Sequence, residues 1–182
     1  MRKRQSNEKA ADIPVKVLSA LTAFLLIFYL TKASGTEAYR TAYTCVYYDS
    51  IENFDAFEQD MSPLFHRSRG PTSPYLSRKI DKTVEDVESF LDMYPKNFKV
   101  NIVLLVKRGD LQKKYDRGGG DKNVLGFFQQ SSRTIYVSVD DVTPKILTHE
   151  VAHAIISDYF KGTAPPNTQE ILAISAGEEV EE

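Results

Sequence analysis

The chain has 182 residues, 42% of them apolar, with one cysteine, no tryptophan and a formal net charge of −2. That is the make-up of one globular domain with a terminal appendage, and it excludes both a disordered chain and two full domains. Residues 1–32 carry six basic and two acidic side chains, leaving 17 basic against 23 acidic ones beyond them. An acidic domain offers no clustered basic face to displace phosphate counterions, so nucleic acid is excluded as a partner.

Arg2, Lys3, Arg4, Lys9 and Lys16 precede an apolar run from Val17 to Leu30, after which Thr31 to Gly35 turns polar. Basic residues ahead of an apolar core read as an export signal. The run falls short of the roughly 20 residues that span a bilayer, which favours cleavage. The long basic leader and Lys32, placed where a neutral processing site is expected, favour an uncleaved anchor, and that is the reading adopted. The denser positive flank stays inside, giving a single-pass membrane protein with a cytoplasmic amino terminus and an extracytoplasmic domain. With the leader removed, the domain would be secreted or periplasmic. The division expected is therefore 1–35, leader plus hydrophobic signal or anchor segment, and 36–182, the domain.

Tyr39 to Tyr48 is rich in Tyr, Thr and Val and is expected to be one strand, with Cys45 as a small apolar residue inside it. A single cysteine excludes an internal disulfide. Asp49 and Ser50 then cap a helix ending near Met61. Ser62 to Ser77, holding Pro63, Gly70, Pro71 and Pro74, is expected to be a loop, with His66 near its start. Ile80, Val84, Val87, Leu91 and Tyr94 form one stripe on a helix from Arg78 to Met93. Lys99 to Lys107 reads as a central strand buried on both faces, ended by Arg108-Gly109-Asp110. Gly118-Gly119-Gly120 lacks the Lys and Ser/Thr of a phosphate loop and is expected to be a flexible loop bordering the cleft. Val124–Gln129 and Thr134–Val139 pair as a hairpin around the polar turn Gln130–Arg133. Asp141 or Thr143 caps a helix from Pro144 to Lys161, stopped by Gly162 and Pro165-Pro166. Asn167 opens a last helix, and the acidic end from Gly177 is expected to fray. The order of elements is that of an α+β fold.

The chemistry concentrates on the helix carrying His149-Glu150-Val151-Ala152-His153. Residues four apart lie on one helix face, so the two imidazoles can meet one ion. Zinc accepts that geometry and, in catalytic sites, takes three protein ligands and leaves a position for water. Glu150, beside the first ligand, can withdraw a proton from that metal-activated water and pass it to a leaving amine. The helix is otherwise apolar through Ile146, Leu147, Val151, Ile155 and Ile156. Two histidines there are costly to bury without a ligand, which sets metal binding above an accidental match. Glu170 is the third ligand expected, because sixteen residues separate it from His153, enough for a turn and a returning helix. It also stands three residues after Asn167, where a glutamate can complete a helix cap. His66, Glu178 and Glu179 are lesser candidates.

This run, followed by Pro165-Pro166 and Gln169-Glu170-Ile171-Leu172-Ala173, resembles the zincin-type metallopeptidases of the gluzincin branch over about Val124 to Ala173. The resemblance implies a zincin-like fold, a small mixed sheet whose edge hairpin packs on an active-site helix followed by a glutamate helix. It implies a zinc-dependent peptidase acting on a peptide or protein substrate, with Gly126 and Phe127 on an edge strand that pairs with the substrate as an added strand. There are departures. About a dozen residues follow Glu170, so an open site without the family's larger carboxy-terminal subdomain is expected. No Tyr or His clearly matches the family's oxyanion donor; Tyr159 lies off the histidine face and Tyr136 is the remaining candidate. Ile174 stands where a carboxylate would orient a histidine. These departures support a competing expectation, a catalytically inactive extracytoplasmic zinc-binding or partner-binding module of the same fold.

Overall fold

In a computed structural model describing residues 37–61, 74–116 and 124–180, five strands form one mixed sheet in the order β1-β2-β3-β5-β4. These are β1 (Glu37–Arg40), β2 (Thr44–Tyr48), β3 (Val100–Leu105), β4 (Gly126–Gln129) and β5 (Thr134–Ser138). Five helices accompany them among the described residues: α1 (Ile51–Met61), α2 (Pro74–Leu91), α3 (Arg108–Asp116), α4 (Pro144–Tyr159) and α5 (Pro166–Glu179). The leader with Val17 to Leu30, His66 and Gly118–Gly120 lie outside the described residues. Among the described residues no helix is long and apolar enough to cross a membrane.

Strands β2, β3 and β5 are parallel, and β1 and β4 close the two edges antiparallel. Register sets the faces. Val46, Ile102, Ile135 and Phe128 form one row across the sheet, so their side chains share a face. That face meets Phe54 and Phe57 of α1 and Leu147, Val151 and Ile155 of α4, all fully or almost fully buried. Each such side chain contributes about 1.5–3 kcal/mol when withdrawn from water. Helix α2 adds Leu76, Ile80, Val84 and Val87, a stripe at helical spacing that seals the layer.

The opposite face is only partly covered. There Phe127 and Tyr136 are paired and stacked with centroids 4.9 Å apart. Helix α3 brings Tyr115 within 5.1 Å of Phe127 and Lys114 Nζ to 4.8 Å from the Tyr136 ring.

The single strand expected from Tyr39 to Tyr48 is a hairpin. Thr41 Oγ1 accepts from the N–H groups of Tyr43 and Thr44, at 3.2 and 3.0 Å, and Asp81 accepts from those of Ala42 and Tyr43, each at 3.2 Å. A distant carboxylate thus completes a turn that has neither Gly nor Pro to announce it. Helix α2 starts at Pro74 rather than Arg78, because proline suits a first helical turn that needs no N–H. Strand β3 is central, but it is not buried on both faces: Val100, Ile102 and Leu104 are buried while Asn101, Val103 and Leu105 are half-buried. Arg108-Gly109-Asp110 does not merely end that strand; it begins α3. The carbonyl of Lys107 accepts from Asp110 and Leu111, and Arg108 is held by both carboxylate oxygens of Asp141.

Candidate metal centre

Helix α4 is fixed at both ends. At its start Thr143 Oγ1 accepts from the Ile146 N–H at 3.3 Å and Pro144 occupies the first turn. At its end Lys161 (φ 54°) and Gly162 (φ 74°) turn left-handed, and the Gly162 N–H donates to the Ser157 carbonyl at 2.7 Å. The positive φ of Gly162 calls for glycine there, while the Gln130 amide that a Cβ would meet is the end of a flexible side chain.

After Pro165 the chain returns as α5 alongside α4. Ala173, Ala176 and Gly177 are buried in the seam, where a Cβ on Gly177 would be 3.4 Å from the Lys145 carbonyl and 3.6 Å from His149 Cβ. This packing keeps the chain helical to Glu179, so the fraying expected from Gly177 does not begin there. Small residues at helical spacing let two backbones approach, which is why a glycine that reads as a breaker sits within a helix.

The two helices bring His149, His153 and Glu170 together. His149 Nε2 and His153 Nε2 are 3.1 Å apart, His149 Nε2 is 3.7 Å from Glu170 Oε1, and His153 Nε2 is 3.4 Å from Glu170 Oε2. Ligand atoms about 2.0–2.2 Å from a tetrahedral zinc stand roughly 3.3–3.6 Å from one another, so the triangle fits one ion. Among the described residues this is the group able to hold a metal. Glu178 is turned to Lys145, 3.8 Å away and exposed, and neither it nor Glu179 joins the group. The histidine side chains are 23% and 18% exposed and that of Glu170 is 55% exposed, leaving one side open to solvent. Burial, followed by the neighbouring His149, lowers the pKa of His153, with Glu170 opposing. The neutral imidazole this favours is the form that binds a metal.

Glu150 lies against the edge strand and is 5% exposed. Burial chiefly, and then the charge of Glu170, push its carboxyl up to about 8, against a lowering hydrogen bond from the Phe128 backbone. Phe128 was not singled out from sequence, since a main-chain donor leaves no residue-type signal. Gly126 faces Glu150 as well: a Cβ there would meet Ile146 Cγ2 at 3.1 Å, Glu150 Cγ at 3.2 Å and Val137 Cγ1 at 3.3 Å. Gly126→Ala is accordingly expected to cost about 1–3 kcal/mol by lifting the strand from the helix. Denaturant titration checks this, and a loss under about 0.5 kcal/mol would show that the contact gives way freely.

Phe127 shares the edge strand with Gly126, but its side chain lies on the far face with Tyr136 and Tyr115. Tyr136, the remaining candidate for an oxyanion donor, therefore stands across the sheet from the histidines. Tyr159 ends α4, half exposed and edge-on to Phe160 at 5.1 Å. Cys45 is buried and free. No family model, curated protein or solved structure matches this chain.

Proposed function

We propose that the chain is a zinc-dependent peptidase of zincin-like fold, exported and tethered to a membrane by Val17 to Leu30. The observation that carries the reading is the spacing of three ligand atoms, 3.1, 3.4 and 3.7 Å apart, beside a buried carboxylate. Zinc held there would act as a Lewis acid, acidifying a water and polarising a peptide carbonyl. His149 and His153 offer neutral lone pairs, and Glu170 offers one negative charge. Glu150 moves the proton: a cation held beside it would favour its ionised form, and that carboxylate takes a proton from the attacking water and gives it to the departing nitrogen. The Phe128 N–H keeps that carboxylate under β4. As an edge strand, β4 is open to an extended peptide on its outer side, which aligns the backbone by main-chain pairing.

A non-catalytic zinc-binding or partner-binding module is the second reading, favoured by the positions of Tyr136 and Tyr159 away from the histidines. Against it, three protein ligands rather than four gather among the described residues, the number that leaves a coordination position for water. Metal analysis of the full chain is expected to find one zinc per molecule, and chelation is expected to stop cleavage of an unfolded protein until zinc is returned. His153→Ala is expected to lose the metal and the cleavage together. A chain that cleaves equally well without bound metal would end the proposal.

A further inference from the structure

Where α4 ends, a crevice of about 260 Å³ lies between its last turn, the start of β3 and the hairpin turn after β4. Its floor is apolar, made by Phe98, Val100, Phe128 and Ala154. Ser157 lines it at 6% exposure, and its hydroxyl has no hydrogen bond to any described residue. A helical serine can bond the carbonyl four residues back, as Ser175 does to Ile171 at 3.0 Å. Ser157 is buried without doing so, which leaves a polar atom facing the crevice in need of a partner.

The border carries a surplus of positive charge. Lys99, Arg133 and Lys161 line it against one carboxylate, Asp158; the Arg133 guanidinium holds that carboxylate at 2.8 and 3.1 Å and the Lys99 ammonium donates to the Ala42 carbonyl, which leaves Lys161. Lys161 has no ion pair among the described residues. In a domain whose acids outnumber its bases, an uncommitted ammonium beside an unsatisfied hydroxyl suits an anion carried on an apolar stem.

The crevice adjoins the metal centre through two residues. Phe128 forms part of its wall and is also the backbone donor to Glu150, while Ala154 follows His153 directly and stands one turn beyond Glu150. Gly126 lies against Ile146 and Glu150 whereas Phe128 and Ala154 both line the crevice further on, so β4 and α4 run in the same direction. A peptide added antiparallel to β4, the slightly stronger pairing, would therefore run with the amino side of the cleaved bond towards the Gln129 end of the strand, the end nearest the crevice.

We infer that this crevice is a specificity subsite for an acidic side chain, glutamate above all, on the amino side of the bond. The methylenes lie on Phe128 and Ala154, and the carboxylate accepts from Ser157 Oγ and the Lys161 ammonium. The position relative to the bond rests on the peptidase reading; the preference for a carboxylate does not. The test uses the zinc-loaded full chain bearing Glu150→Gln and measures affinity for short unstructured peptides that differ at one position, Glu, Gln, Leu or Lys. The Glu peptide is expected to bind about tenfold tighter than the Gln peptide, in keeping with a charge-assisted hydrogen bond. Ser157→Ala and Lys161→Asn should each shrink that gap several-fold, asparagine being at ease with the positive φ of position 161. Lys161 is exposed, so its variant keeps the test decisive even if Ser157→Ala loses zinc through misfolding. Equal binding of Glu and Gln peptides, or a preference that survives Lys161→Asn, overturns the subsite. A preserved preference in a parent chain that cleaves nothing would instead end the peptidase reading and leave the subsite standing.

Discussion

Glu150→Gln is expected to slow peptide cleavage by about 10²–10⁴-fold while the chain keeps its zinc. The substitution preserves shape: glutamine fills the same space beside Gly126, and its side-chain oxygen can still accept from the Phe128 N–H. What it removes is a group able to carry a proton between the attacking water and the leaving nitrogen. The three ligand atoms are untouched, so metal content is the internal control. Single-turnover cleavage with metal analysis of the same sample separates the two effects. A variant within tenfold of the parent would place the proton carrier elsewhere.

The same carboxylate is expected to make the metal-free fold sensitive to alkali. Its folded pKa is pushed from 4.5 to about 8, so the folded state holds the proton more tightly than the unfolded chain does. The resulting stability is complete below about pH 4.5 and is lost progressively as pH rises towards 8. The full span corresponds to about 5 kcal/mol at most, at 1.36 kcal/mol per pH unit. In chelator, urea unfolding of the parent should therefore weaken between pH 5 and pH 8 by several kcal/mol relative to Glu150→Gln, which carries no such charge. A bound divalent cation nearby would favour the ionised carboxylate and reduce the difference. Parallel pH profiles for the two metal-free proteins would mean that Glu150 is solvated in the folded state.

How much of this was legible in the sequence depends on whether a feature is local. The spacing of His149 and His153 on a helix is local, and so are the Thr143 cap and the turn between β4 and β5. Each was readable because the periodicity and the capping chemistry lie within a few residues. Glu170 was reachable as the expected third ligand because Pro165-Pro166 marks the return, though its distance from Asn167 also allowed a cap. The β1–β2 turn was not legible, since Asp81, nearly forty residues away, helps to satisfy its backbone. The helix at Arg108 was masked by a weakly apolar composition and depends on Asp141. The two faces of β4 were not separated either: alternation places Gly126 and Phe127 on opposite sides, but only the packed helix tells which side carries chemistry. The mixed five-stranded sheet with helices is the α+β fold that the order of elements announced.

The seam around Gly177 ties the helix that carries Glu170 to the helix that carries His149 and His153. Glu170 sits in the early part of α5 and the small residues run along the remainder, so docking of this segment and capture of a cation draw on one free energy. A ligand at a hundredfold excess over its dissociation constant adds about 2.7 kcal/mol to whatever conformation it selects. If the proposed zinc site is filled, this helix becomes a latch whose hold on the rest of the domain rises and falls with the zinc supply.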